Sequence, residues 1–147
     1  MKLRGSQITR VDEKGRLKIP ADYKRQLDEE GVVEFFITSK DGERAEIYPM
    51  PEWERIEAIV DQMPSMSVAK QKFLDRTNYY GQTVTFDGQG RLLIPQTLRE
   101  AAKLTADVAV MGQRKMLVVV NDERMRSGFE HNPLTAADAA ELAAAGV

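Results

Sequence analysis

The chain of 147 residues has no cysteine, one histidine and one tryptophan. Without cysteine there is neither a disulfide framework nor a thiolate metal site, a usage that fits a cytosolic protein. His131 is the only imidazole and precedes Asn132-Pro133 in a predicted loop. A histidine metal set therefore lacks its second ligand, and a nucleophile lacks a histidine base, so no metal and no cofactor are expected. No apolar run approaches the roughly 20 residues that a membrane span requires. Met1-Lys-Leu-Arg-Gly-Ser-Gln7 has no apolar stretch of the kind that opens a signal peptide, so a cytoplasmic location without a membrane partner is expected. Gly88-Gln-Gly90 is followed by neither the spacing nor the helix start of a dinucleotide loop. The carboxylate pairs Glu29-Glu30 and Asp122-Glu123 sit at predicted element ends, where solvation accounts for them. No catalytic constellation remains: an enzyme with a small-molecule substrate is not expected.

What the chain does have is a repeat. Asp12-Glu-Lys-Gly-Arg-Leu-Lys-Ile-Pro20 recurs as Asp87-Gly-Gln-Gly-Arg-Leu-Leu-Ile-Pro95, with Asp, Gly, Arg, Leu, Ile and Pro shared at a constant offset of 75. Two copies at so long a period indicate a duplicated half-domain, not a solenoid. Half-domains of roughly 70 residues bury thin cores alone, so the two are expected to share one. The division expected is residues 1–76 for the first repeat with its linker helices, 77–126 for the second, and 127–147 for a helical tail.

Each repeat reads as strand, turn, strand, helix and hairpin. Ile8–Val11 leads into a turn at Asp12–Gly15. Arg16-Leu-Lys-Ile19 then places Leu17 and Ile19 on one face and Arg16 and Lys18 on the other. Pro20 suits the first turn of a helix in which Tyr23 and Leu27 share a face and which Gly31 ends. Val32–Ile37 and Ala45–Tyr48 form a hairpin whose turn contains Asp41-Gly42. The second copy follows with Val84–Phe86, Arg91–Ile94, a helix from Pro95 through Lys103, and a hairpin of Asp107–Met111 with Met116–Val120. Leu93 stands where the first copy has Lys18, which makes this strand apolar on both faces and predicts deeper burial. Between the copies, Pro51 opens a helix with Trp53, Ile56, Val60 and Met63 on one stripe, a core or subunit face. Ser65 is placed to cap a second helix in which Met66, Ala69 and Phe73 align. The tail from Pro133 reads as a capped alanine-rich helix with little to bury. The fold class predicted is α+β, mainly β.

The formal net charge of −2 conceals a basic end. Residues 1–26 hold Lys2, Arg4, Arg10, Lys14, Arg16, Lys18, Lys24 and Arg25 against Asp12, Glu13 and Asp22, a local charge of +5. In the motif, Asp12 and Asp87 can bond backbone amides two residues on, and Gly15 and Gly90 can take positive φ; these four are turn residues. Arg16 and Arg91 admit two roles. Each can brace the turn by pairing with its aspartate, and each can still offer donors to a phosphate or a guanine edge. Arg4, Arg10, Lys14 and Lys18 on one strand-turn-strand unit can neutralise several phosphates. The second copy has Gln89 and Leu93 where the first has Lys14 and Lys18, so the first is expected to carry most of the contact.

Two copies of Asp-x-x-Gly-Arg-Leu-x-Ile-Pro, each set between a strand and a helix, resemble the SpoVT/AbrB-type swapped-hairpin barrel. Their duplication in a chain of this length is similar to the MraZ family of bacterial transcriptional regulators, associated with the division and cell-wall gene cluster. The resemblance covers residues 1–125 and includes Arg4-Gly5, Asp12 to Arg16, Asp87 to Arg91, Leu98-Arg99 and the strand ending at Gly112. Leu117-Val-Val-Val-Asn-Asp122 departs from it by lacking an acidic-aromatic close, as does the alanine-rich tail beyond Phe129. The resemblance implies a barrel with pseudo-twofold symmetry and a closed homo-oligomeric ring. It also implies a nucleoid-associated protein that binds double-stranded DNA at short direct repeats before its own operon, most simply as a repressor. Within it, Arg16 with Lys14 would be the principal reader, and Arg91 beside Gln89 the secondary one. The competing expectations are an antitoxin-like protein of the same fold, whose tail neutralises a toxin, and an oligomeric scaffold in which the arginines only brace their turns.

Overall fold

The strands expected around each motif are present, and the duplication decides how they pair. The computed structural model describes residues 1–147. The first repeat contains β1 (Ser6–Arg10), β2 (Arg16–Lys18), α1 (Ala21–Glu29), β3 (Glu34–Thr38) and β4 (Ala45–Pro49). The linker helices α2 (Met50–Asp61) and α3 (Val68–Tyr79) follow. The second repeat contains β5 (Gln82–Thr85), β6 (Arg91–Leu93), α4 (Gln96–Ala101), β7 (Asp107–Gly112) and β8 (Leu117–Asn121), before α5 (Asp122–His131) and α6 (Ala136–Ala144). Every strand pairing is antiparallel and the class is α+β. It is not mainly β as expected, because the linker helices α2 and α3 and the closing helices α5 and α6 give the helices more residues than the strands.

Six strands form one sheet in the order β1-β7-β8-β4-β3-β5, while β2 and β6 pair in a ribbon of their own. The repeats exchange their first strands: β1 lies on β7 of the second repeat, and β5 lies on β3 of the first. The two pairings correspond once the shorter second helix is allowed for: Ile8 lies opposite Ala109 and Thr83 opposite Phe36, an offset of 75 on the first strands and of 73 on their partners. On the pseudo-twofold axis Leu17 meets its counterpart Leu92 in the ribbon, and Glu46 meets Val118, its counterpart at the offset of 72 that relates β4 to β8. The ladders do not close a barrel, since β1 and β5 remain the two edges of the sheet.

One core serves both repeats. Leu17, Ile19, Leu27, Phe35, Ile37 and Ile47 pack in the same cluster as Leu92, Ile94, Leu98, Val108, Val110, Leu117 and Val119. Burying each such side chain is worth about 1.5–3 kcal/mol. The ribbon lays only one face on this core, and Leu17 and Leu92 fill it with no exposure. That corrects the expectation for Leu93, which is 44% exposed. It lies on the outer face opposite Arg16, because alternation in a two-stranded ribbon sends every second residue to solvent whatever its polarity.

Pro20 occupies the N-cap position of α1, one residue ahead of the first turn. Tyr23 and Leu27 are buried from this helix, and the Tyr23 hydroxyl reaches the Gly5 carbonyl at 2.7 Å and that of Arg4 at 3.1 Å. Gly31, at φ +70°, closes the helix, with its amide on the Asp28 carbonyl and the Val32 amide on that of Leu27. In α2, Trp53 is buried and stacks on Phe36 at 4.7 Å and on Phe73 of α3 at 6.1 Å. The cap of α3 is Ser67, which accepts the Lys70 amide, and not Ser65. The Ser67 amide bonds the Pro64 carbonyl, so a turn consumes residues 65 and 66 before the helix starts and leaves Met66 91% exposed. Thr135 and Asp138 form a reciprocal capping box on α6, all of whose residues are exposed. No helix is long and apolar enough to cross a membrane.

Candidate nucleic-acid interface

The two motif turns are built by the same set of bonds. Asp12 Oδ1 accepts the backbone amides of Lys14 (3.0 Å) and Arg16 (2.9 Å), and its Oδ2 accepts Arg16 Nε at 2.8 Å. Asp87 Oδ1 accepts the amides of Gln89 and Arg91, both at 2.9 Å, and its Oδ2 accepts Arg91 Nε at 2.7 Å. The amides of Gly15 and Gly90 donate to the carbonyls of Asp12 and Asp87, which needs the positive φ of +87° and +71° that glycine adopts freely. Across the axis the turns hold each other: the Ile19 amide donates to Gly90 and the Ile94 amide to Gly15.

These bonds favour the carboxylate form of each aspartate. The backbone amide of Arg91 does most to hold the Asp87 carboxyl down to about 2, and the Arg16 amide likewise lowers that of Asp12. Each arginine meets its aspartate through Nε, which leaves the Nη groups at the far end of the guanidinium. Arg91 Nη1 comes within 3.9 Å of Asp12 Oδ2, so the first turn's carboxylate also feels the second turn's arginine.

The outer face of the ribbon carries Arg16 opposite Leu93, and Lys18 opposite Arg91. Lys14 and Gln89 lie exposed on the turn tips. The structure thus gathers Lys14, Arg16, Lys18, Gln89 and Arg91 on one solvent-facing surface over the pseudo-twofold axis. It places the other two residues singled out from the sequence elsewhere. Arg10 ends β1 and is ion-paired with Asp107 at 2.7 Å. Arg4 precedes β1, whose five residues, about 17 Å of strand, separate it from the turn.

Sequence reasoning did not assign two cations that the fold delivers to these turns. The Arg99 guanidinium of α4 lies on the Gly15 turn, where Nη1 donates to the Lys14 carbonyl at 3.3 Å, and a Cβ on Gly15 would run into it. Lys24 of α1 lies on the Gly90 turn, where a Cβ would stand 3.2 Å from its Cε. Lys24 and Arg99 are related by the same offset of 75 as the motif, and that identity was the available signal.

Tyr48 buries its hydroxyl against Glu46, donating to Oε2 at 2.7 Å, and burial with this carboxylate beside it pushes the phenol well above its ordinary range. Lys40 Nζ stands 3.4 Å from the same oxygen. This cluster lies in the sheet, away from the ribbon. No group of three or more His, Cys, Asp or Glu gathers in a way that could hold a metal ion.

Fold and site together define an internally duplicated α+β protein with exchanged strands and a basic, solvent-facing ribbon on its pseudo-twofold axis. The family model described as "MraZ protein, putative antitoxin-like" matches residues 3–76 and 81–142, and the chain belongs to the MraZ family. It is 56% identical over 144 residues to the transcriptional regulator MraZ of Acidobacterium capsulatum, covering 98% of this chain and 99% of that one. It is 48% identical over 145 residues to the protein of that name from Koribacter versatilis, with the same coverage of each chain. To the namesake from Syntrophobacter fumaroxidans it is 36% identical over 109 residues, which cover 74% of this chain and 72% of that one. Neither the family description nor these names denote an enzyme.

Proposed function

We propose that this chain is a sequence-specific DNA-binding transcriptional regulator whose contact surface is the β2–β6 ribbon with its two motif turns. The observation that carries the reading is the pair of buttressed arginines. Arg16 and Arg91 are each fixed by an aspartate through Nε, on one exposed face that also bears Lys18, with Lys14 at a turn tip. A guanidinium so fixed loses little freedom on binding and can meet a phosphate or the O6 and N7 of guanine through its remaining donors. Lys14 and Lys18 add phosphate neutralisation on the first turn, which Gln89 and Leu93 do not match on the second. The regulator role is the one that the relatives' names carry.

The finer reading rests on the family resemblance. In it, residues 1–76 and 77–126 are the two halves of an AbrB-type exchanged-hairpin barrel, and copies of the chain assemble into a ring. Several turns then reach short direct repeats upstream of the chain's own operon, and weak contacts gain strength through linkage. The protein represses that promoter and resides in the cytoplasm on the nucleoid.

The test is a titration against duplex DNA from upstream of the protein's own gene, at several salt concentrations. Arg16→Ala is expected to weaken binding by about 5- to 150-fold, the range of one bidentate base contact, and Arg91→Ala by less. Native mass spectrometry should show the same assembly for both variants as for wild type. Binding of both variants at wild-type affinity would discard the site. Loss of folding or assembly in Arg16→Ala would leave a scaffold with braced turns as the better reading.

A further inference from the structure

We infer that Arg99, carried on α4 of the second repeat, is a DNA-backbone contact belonging to the first repeat's turn. The inference rests on the DNA-binding reading above and adds a residue that lies outside both motifs. Arg99 touches the turn at its centre: Nη1 donates to the Lys14 carbonyl, and the guanidinium occupies the space that the missing side chain of Gly15 leaves open. It is thereby held beside Lys14, whose own amide is held by Asp12. Two cations on one rigid turn form a phosphate clamp, and Arg99 reaches it from 85 residues away in the chain.

The counterpart at the second turn shows what Arg99 has kept. Lys24 is ion-paired to Asp28, one turn on in α1, at 2.7 Å, and lies 4.7 Å from the centre of the Phe86 ring. Its charge is already engaged by a partner on its own helix. Four residues on from Arg99 stands Lys103, beyond the end of α4, and Val11 takes the place of Phe86, so Arg99 has neither the carboxylate nor the aromatic face. Asp12, Glu13 and Glu100 line the open groove of about 440 Å³ beside Arg99; Asp12 is paired with Arg16, and none of the three forms an ion pair with Arg99. Arg10, in the same groove, is taken by Asp107. Arg99 is therefore a held cation without an ion-pair partner at the first turn, with no equal at the second. A phosphate contact reads no sequence, so its removal should act alike on every duplex.

The experiment measures the salt dependence of binding to the upstream duplex and to one of unrelated sequence, for wild type, Arg99→Gln, Arg99→Lys and Lys24→Gln. Glutamine removes the charge and, being two bonds shorter, the reach of the guanidinium as well, so the melting temperature is read beside the slope to separate the two. Arg99→Gln is expected to lower the log–log salt slope by about 0.9 and to weaken both duplexes by the same factor. Arg99→Lys should restore the slope, and Lys24→Gln should leave it at the wild-type value. A wild-type slope in Arg99→Gln, with wild type binding DNA, overturns the inference and leaves the DNA-binding reading standing. So does failure of Arg99→Lys to restore the slope while Arg99→Gln lowers the melting temperature, which makes the residue a turn brace alone. If wild type binds neither duplex at any salt concentration, the DNA-binding reading falls, and this inference falls with it.

Discussion

Asp87 accepts three hydrogen bonds from its own turn, and the consequence is a defined acid sensitivity. Its carboxyl titrates at about 2, below the ordinary 3.8, so the charged form is the one that folding favours. The sign follows: the stabilisation is complete above the ordinary value and is lost as pH falls from there through the folded one. A carboxyl-shift titration by NMR should therefore find the Asp87 midpoint near 2, and that of Asp12 also below the ordinary value. The glycines of the motif separate in the same local way. Gly15 has positive φ and Arg99 against it, whereas Gly88 has no neighbouring atom within 4 Å and needs no positive φ. Gly15→Ala should cost more than about 1 kcal/mol in urea unfolding, and Gly88→Ala less than about 0.5. The turn bonds of aspartate, glycine and arginine were legible in the sequence because each acts within five residues of the others. The seat of Arg99 was not, because nothing local to α4 encodes a carbonyl that lies in the other repeat.

Elements were legible where periodicity and breakers agree. Tyr23 with Leu27, stopped by Gly31, specifies α1 without help from the rest of the chain. The start of α3 is ambiguous in the sequence because Ser65 and Ser67 are both good caps. The Pro64 carbonyl accepts the Ser67 amide, and that turn places Ser67 and not Ser65 at the cap. Leu93 misled for a different reason, since alternation tells which residues share a face but not whether that face is covered. The helix α2 depends on one side chain, Trp53, sandwiched between Phe36 of β3 and Phe73 of α3 and also packed near Tyr48. Trp53→Ala should destabilise by about 3–5 kcal/mol and lower the melting temperature by on the order of 10 °C. Circular dichroism reads this directly, and the intrinsic fluorescence of the wild type, with its single tryptophan, gives the reference transition.

For the whole molecule, the order β1-β7-β8-β4-β3-β5 was beyond the reach of pattern, because strand exchange depends on contacts between repeats. Duplication was visible in the residues; the exchange was carried only by the family resemblance. Its physical result is that neither repeat owns a complete sheet or a complete core. Residues 1–76 and 77–147 expressed separately should each be largely unfolded by circular dichroism, and mixing them should restore β-structure and a cooperative melt. Independent folding of either fragment would contradict this account of the core.

The Leu17–Leu92 pair on the pseudo-twofold axis joins two halves that no longer need to be alike. A true homodimer shows the same surface to both halves of its target, and its best site is a palindrome. Here the tether between the halves has released them from that requirement: one turn bears Lys14 and Arg99, and the other bears Gln89 with its lysine neutralised by Asp28. On a duplex, such a molecule has a front and a back. Sites for it should run head to tail along the DNA, and inverting one of them should weaken binding even though no base has been changed.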